Sequence, residues 1–174
     1  MRKIILNVAV SLDGFIEGPN GEFDWCFTDQ DYGMSTFLKN IDAIFYGRKS
    51  YEMMMRTVAS GEHPFSGFKN YVFSETLSEP YPDTILISKN VVQEVTKLKQ
   101  EEGKDIWLFG GASLLHSFLI EGLVDQLSLA VHPLLLGEGK RLFQEVSERT
   151  KLTLVNSTSY ASGLIILLYE IDKK

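Results

Sequence analysis

The sequence predicts an α/β domain with a largely parallel sheet and an antiparallel edge. Three observations carry that prediction. Apolar, β-branched strand segments alternate with segments of helical periodicity through most of the chain. Two of the strands run without a gap into a glycine turn and a helix start: Phe45-Tyr46-Gly47-Arg48-Lys49-Ser50 and Ile106-Trp107-Leu108-Phe109-Gly110-Gly111. Near the C-terminus, Lys151 to Tyr160 and Leu164 to Ile171 flank Ala161-Ser162-Gly163, which is a β-hairpin signal.

Taken in order, Ile4 to Val10 is an apolar run broken only by Asn7, as expected of a strand buried on both faces. Ser11-Leu12-Asp13-Gly14 turns away from it, and Gly18-Pro19-Asn20-Gly21 has loop composition. Phe23, Trp25 and Phe27 predict that the segment up to Asp31 folds back over a core edge or a ligand. Asp29 or Asp31 is placed to cap a helix over Tyr32 to Lys39, with Met34, Phe37 and Leu38 inward. Ala43 to Tyr46 reads as the second strand, and from Ser50 a helix carries Tyr51, Met54 and Met55 on one face.

Ser60 to Phe68 reads as loop, with strands at Tyr71 to Ser74 and Thr84 to Ile87. Asn90 with Gln93 resembles a capping box for a helix ending near Gln100. Leu114, Leu115, Phe118 and Leu119 form the apolar face of the helix after the double glycine. Gln126 to Val131 is a strand, and Gly137-Glu138-Gly139 marks a loop. No repeat or linker interrupts the series, so one domain is expected over residues 1–174.

Composition narrows the class of function. With 174 residues, 44% of them hydrophobic, the chain can bury a sizeable core. A net charge of -6 speaks against nucleic acid or an anionic membrane as the main partner. Cys26 has no second cysteine to pair with, and His63, His116 and His132 are too dispersed for a metal motif. The apolar run after Met1-Arg2-Lys3 ends too soon for a signal peptide, and no stretch reaches membrane-spanning length. A cytoplasmic, soluble, metal-free domain is expected.

The chemistry concentrates at the two glycine turns. Adjacent glycines lack Cβ, so the backbone reaches φ > 0 and a ligand can come close to the chain. The N–H groups of Ala112, Ser113 and Leu114 then open a helix, where the macrodipole favours an anion. Gly47-Arg48-Lys49-Ser50 repeats this arrangement with two cations and a hydroxyl. Cations are unfavourable at a helix N-terminus, and a bound phosphate would offset that through Arg fork geometry and the Lys point charge. A solvated Arg–Lys pair and glycines that only make turns are the alternative. Both turns stand at carboxyl ends of strands, where α/β sheets bind ligands. Two phosphate sites suggest a dinucleotide.

Five segments in succession, covering nearly the whole chain, resemble the dihydrofolate reductase-like family. They are Val8 to Ile16, Phe45 to Glu52, Asn70 to Ser74, Ile106 to Leu115 and Leu135 to Phe143. Ser11-Leu12-Asp13-Gly14 and Gly137-Glu138-Gly139-Lys140-Arg141-Leu142-Phe143 resemble most the reductase domain of bifunctional riboflavin-biosynthesis deaminase/reductase proteins. The resemblance implies a three-layer fold, helices on both faces of the sheet, and NADPH as cofactor. On that basis Ala9 and Ile16 lie beside the nicotinamide, and Gly47, Arg48, Lys49 and Ser50 hold the adenosine-side phosphates. Ser74 falls near the adenine ribose, and Gly110, Gly111, Ala112, Ser113 and Leu114 cradle the pyrophosphate. Arg48 favours NADPH over NADH, because a 2′-phosphate wants a guanidinium.

The departures bear on the substrate. Phe68 stands where dihydrofolate reductases carry an arginine for the folate glutamate, and Ala130 and Val131 replace the threonine that helps hold the pterin. Dihydrofolate is therefore a poor fit. Asp31 matches the position of the catalytic carboxylate, although a helix cap explains it equally. Asp13 is the rival carboxylate, equally explained as a turn-making residue before Gly14. Asp13, Trp25 and Asp31 are the residues expected to face the substrate, while His116 and His132 are expected to be structural. The resulting expectation is an NADPH-dependent reductase of a small heterocyclic or conjugated C=N/C=O substrate. A riboflavin-pathway 5-amino-6-(5-phosphoribosylamino)uracil reductase and a nucleotide-binding module without turnover are the alternatives. The unbroken apolar run Leu164 to Tyr169 predicts a homodimer that covers part of the hairpin or Leu134-Leu135-Leu136.

Overall fold

A computed structural model describes residues 1–56, 65–144 and 148–172. Eight strands form one sheet. The six that pair in parallel follow the apolar segments of the sequence closely: β1 (Ile4–Ser11), β3 (Ile41–Gly47), β4 (Lys69–Phe73), β5 (Thr84–Ile87), β6 (Asp105–Gly110) and β7 (Gln126–His132). The hairpin strands β9 (Leu152–Ser159) and β10 (Ile165–Ile171) complete it in the order β5-β4-β3-β6-β1-β7-β10-β9. β10 runs antiparallel to both β7 and β9. A separate two-stranded ribbon pairs β2 (Phe15–Glu17) with β8 (Lys140–Arg141).

Strand alternation sends successive side chains to opposite faces. Ala43 and Phe45 of β3, with Ile106 and Leu108 of β6, enter one core; Ile44, Tyr46 and Trp107 enter the other. The first core is covered by α3 (Val91–Gln100) through Val95 and Leu98 and by α4 (Ala112–Ile120) through Leu115 and Phe118. The second is covered by α2 (Arg48–Arg56) through Tyr51 and Met55, and by α1 (Met34–Lys39) through Phe37 and Leu38. Three layers result. Burial on both faces is why the parallel strands read as continuous apolar runs rather than alternating ones.

One charged pair is buried in this frame. Lys99 Nζ lies 2.5 Å from Asp125 Oδ2, and the same oxygen accepts the Ile4 N–H at 2.8 Å. The pair ties α3 to the start of β1 and to the residue that leads into β7.

Several sequence expectations shift. Helix α1 begins at Met34 because Tyr32 and Gly33 take left-handed φ of 47° and 81°. Met34 is 37% exposed, not inward. Asn90 makes no side-chain cap; it adopts φ 51°, a conformation Asn tolerates, and offers its carbonyl to Glu94 N–H instead. Residues 60–64 of the expected Ser60 to Phe68 loop lie outside the described residues, and Phe65 to Phe68 form a turn.

Candidate functional site

The ends of β3 and β6 are neighbours in the sheet, with Tyr46 in register with Gly110. Each strand breaks at once into a helix, so the N-termini of α2 and α4 converge on one groove of about 500 Å³. The glycines are what allow this approach. A Cβ on Gly47 would stand 3.3 Å from the Gly111 nitrogen, and one on Gly111 would stand 3.0 Å from Ser50 Oγ. Gly110 itself takes φ +126°, and the Gly110–Gly111 peptide is cis. Gly111 precedes the first turn of α4, whose leading N–H groups have no partner within the helix.

Of the expected cofactor residues, Gly47, Arg48, Lys49, Ser50, Ser74, Gly111, Ala112, Ser113 and Leu114 line this groove together. Gly110 forms its turn, whereas Ala9 and Ile16 lie outside its lining on β1 and β2. Arg48 is partly satisfied by its own helix, Nη1 standing 3.0 Å from Glu52 Oε1. Such an exposed i,i+4 pair contributes only about 0.3–0.5 kcal/mol, so the guanidinium can turn to a stronger partner. Ser74 Oγ accepts the N–H groups of Thr76 and Leu77 at 3.2 and 3.0 Å, which makes it a turn-shaping residue at the groove wall. Two carboxylates, Glu75 and Glu121, also reach the lining.

The expected substrate residues are spread differently. Asp31 Oδ1 accepts Ser35 N–H at 3.0 Å and Ser35 Oγ–H at 2.6 Å, serving a first-turn N–H of α1 from two residues ahead of its N-cap, Gly33. Those hydrogen bonds hold its exposed carboxyl below the ordinary carboxylate range. Asp13 sits within the turn closed by Gly14 N–H donating to Ser11 O at 2.9 Å, and its side chain reaches further. Its carboxylate accepts from Ser11 Oγ at 2.6 Å and from the N–H groups of Leu136 at 3.1 Å and Gly137 at 2.8 Å. The Ser11 hydroxyl is the main reason its pKa falls to about 2. Asp13 thus staples the end of β1 to the loop after β7. That long-range role had no local signal in the sequence.

Trp25 presents the third arrangement. Its ring meets His132 edge-on at 5.2 Å, and Phe27 meets the same imidazole at 5.0 Å. His132 Nε2 accepts Phe27 N–H at 3.1 Å while Nδ1 lies 3.0 Å from Ala130 O. These partners assign the neutral Nδ1–H tautomer, and burial lowers the pKa in the same sense. Both ring nitrogens of His132 are thus engaged within the fold, at the end of β7. Trp25 Nε1, in contrast, is a buried donor without an acceptor among the described residues. A buried unpaired donor costs about 1–3 kcal/mol, so this indole is suited to a polar ligand atom. It sits beside the ends of β1 and β7, where Ser11 and His132 are in register.

Sequence reasoning missed Lys140, which lines the groove from β8. It lies within the glycine-flanked segment Gly137 to Phe143, but a two-residue strand carries no periodicity to reveal where its side chains go.

Fold and groove together define a dihydrofolate reductase-like α/β domain. Residues 2–166 match the family model for the RibD C-terminal domain, and the chain belongs to that family. It is therefore a reductase-type domain. The uncharacterized protein YyaP of Bacillus subtilis strain 168 is 47% identical over 177 aligned positions, spanning 97% of this chain and 94% of YyaP. Among solved structures, a Shewanella sp. PV-4 protein provisionally assigned to riboflavin biosynthesis superposes with a TM-score of 0.86 at 25% identity, covering 99% of this chain and 100% of that one. The Thermotoga maritima diaminohydroxyphosphoribosylaminopyrimidine deaminase/5-amino-6-(5-phosphoribosylamino)uracil reductase shares the fold, with a TM-score of 0.73 at 17% identity. That match covers 98% of this chain and 57% of the larger protein. Among the described residues no helix is long and apolar enough to cross a membrane, and no cluster of three metal-ligating side chains occurs.

Proposed function

We propose that the protein is an NADPH-dependent reductase of a small heterocyclic or conjugated C=N/C=O substrate. One observation carries the reading: two glycine turns at adjacent strand ends leave a cradle that a single Cβ would fill, flanked by Ser50 Oγ, Arg48 and Lys49. That donor set fits the phosphates of a dinucleotide. Bound NADPH supplies a hydride, and the protein's share is to hold, orient and shield the reacting groups.

In this reading Arg48 and Lys49 bind the 2′-phosphate, with Arg48 released from Glu52. The N–H groups of Ala112, Ser113 and Leu114 bind the diphosphate at the start of α4. Ala9 and Ile16 flank the nicotinamide end, and Trp25 Nε1–H donates to the substrate. Asp31 is ionised at neutral pH, so its contribution is to orient a water that delivers the proton rather than to donate one directly.

Quenching of Trp fluorescence on titration with NADPH and NADH tests the proposal. NADPH binds more tightly, and Arg48→Ala removes about 1.5–3 kcal/mol of NADPH affinity, the range for charge-assisted hydrogen bonds. Equal affinity for the two cofactors, or no loss in the variant, contradicts it. Binding of NADPH without its oxidation by any pterin, pyrimidine, quinone or carbonyl favours a binding module without turnover.

A further inference from the structure

Lys140 reaches the same cradle from a part of the fold remote from both helices. Its Nζ lies 3.7 Å from where a Cβ on Gly111 would be, on the turn that also faces Ser50 Oγ. We propose that Lys140 is the cation that grips the diphosphate bridge of the bound dinucleotide over the Gly110–Gly111 turn. The assignment rests on the cofactor reading above and adds a residue to it.

The ribbon that carries Lys140 is built to hold it there. Glu17 and Lys140 are in register across β2 and β8, as are Phe15 and Arg141. Gly139 takes φ +138°, and a Cβ on it would collide with the Glu17 carbonyl oxygen, so only glycine lets β8 approach β2 this closely. On the other side of Lys140, the Arg141 guanidinium stacks 4.8 Å above the Phe15 ring. The N–H of buried Leu142 then donates to Gly14 O at 2.9 Å. The backbone of Lys140 is thus anchored before and after, and its side chain lines the groove.

The electrostatics favour a strong anion at this point. Lys140 Nζ has one carboxylate partner, Glu17 Oε1 at 3.0 Å, and the pair is partly exposed. A pair that solvent still reaches is screened and can be exchanged for a more highly charged partner. A diphosphate brings more charge than one carboxylate and would meet two helix N-termini at the same time. Arg48 and Lys49 line the same groove from a different element, α2. The three cations therefore divide: the α2 pair for the 2′-phosphate that distinguishes NADPH, Lys140 for the bridge that NADPH and NADH share.

This division sets the test. Isothermal titration compares NADPH, NADH and 2′-AMP on wild type, Lys140→Gln and Lys140→Arg. Lys140→Gln weakens NADPH and NADH by the same factor, about tenfold or more for one lost charge-assisted contact. Affinity for 2′-AMP, which has no diphosphate, stays at the wild-type value, and Lys140→Arg recovers most of the dinucleotide affinity. Wild-type binding of both dinucleotides by Lys140→Gln overturns the inference and leaves the cofactor reading standing. Parallel loss of 2′-AMP overturns it as well, because the effect would then lie in the ribbon and not in the diphosphate contact. A wild-type protein that binds no dinucleotide overturns the cofactor reading itself, and this assignment with it.

Discussion

Ser50 and Gly111 face each other so closely that a methyl group on Gly111 would stand 3.0 Å from Ser50 Oγ. Gly111 has an ordinary extended φ of -93°, outside the region that requires glycine. Gly111→Ala is therefore predicted to fill the cradle while leaving the fold intact. Cofactor affinity falls by about tenfold or more as a charge-assisted contact is displaced, while Ser50 Oγ shifts to make room. Gly110→Ala behaves differently, because φ +126° disfavours any side chain. It costs about 1–3 kcal/mol of stability, read by chemical denaturation.

Asp31 separates catalyst from cap. Asparagine keeps an acceptor oxygen for Ser35, so Asp31→Asn should keep the fold and NADPH affinity, with only a small loss of melting temperature at neutral pH from the lost carboxylate. Turnover of an accepted substrate should fall by roughly 10²-fold, the contribution of a positioned proton relay. The Ser35 hydrogen bonds lower the carboxyl pKa. The carboxylate form therefore persists at neutral pH and is lost only as the pH falls below the ordinary carboxylate range. Full activity in Asp31→Asn across pH would leave the residue a helix cap and nothing more.

Asp13 makes a prediction about acid stability. Its folded pKa of about 2 lies below the ordinary 3.8. The carboxylate therefore stabilises the fold fully above the ordinary value and loses that contribution as the pH falls through the folded one. Asp13→Asn should melt lower than wild type at neutral pH, with the gap closing on acidification through this window. A gap that stays constant would show that the carboxylate charge is not what binds the loop after β7.

The edge strand predicts an assembly. All eight residues of β9 are exposed, Leu154 and Val155 each at 51%, and Ile165 of β10 is 41% exposed. A long unpaired edge with apolar side chains on it invites pairing with another chain. A second copy is the expected partner, through β9 or its exposed face. Light scattering behind a sizing column should give twice the monomer mass at micromolar concentration, and Val155→Lys should return it to monomer. A monomer mass for the wild type contradicts this.

How much of this could be read in the chain follows from the range of each interaction. The parallel strands and the two glycine turns are local patterns, and they fell where the sequence put them: Gly47 and Gly110 end their strands, and α2 and α4 begin within two residues. What the pattern could not carry was long-range. Asp13 finds its partners at Leu136 and Gly137, and Trp25 finds His132, through a loop whose path no periodicity describes. The β2–β8 ribbon is too short for alternation to signal, so Lys140 passed as an ordinary charged residue. Near Tyr32 and Asn90 what differs is conformation: Asp31 and Asn90 suit a helix start in composition, while positive φ at Tyr32 and Asn90 delays or reshapes it.

Backbone amide NMR with added NADPH tests the central claim most directly. The N–H groups of residues 47–50 and 111–114 belong to the two helix starts that converge on the groove. They should shift together on titration, and more strongly with NADPH than with NADH at residues 48–50, while the amides of β9 stay in place. Binding of NADPH that leaves residues 111–114 unperturbed would contradict the account, as would the absence of any saturable shift.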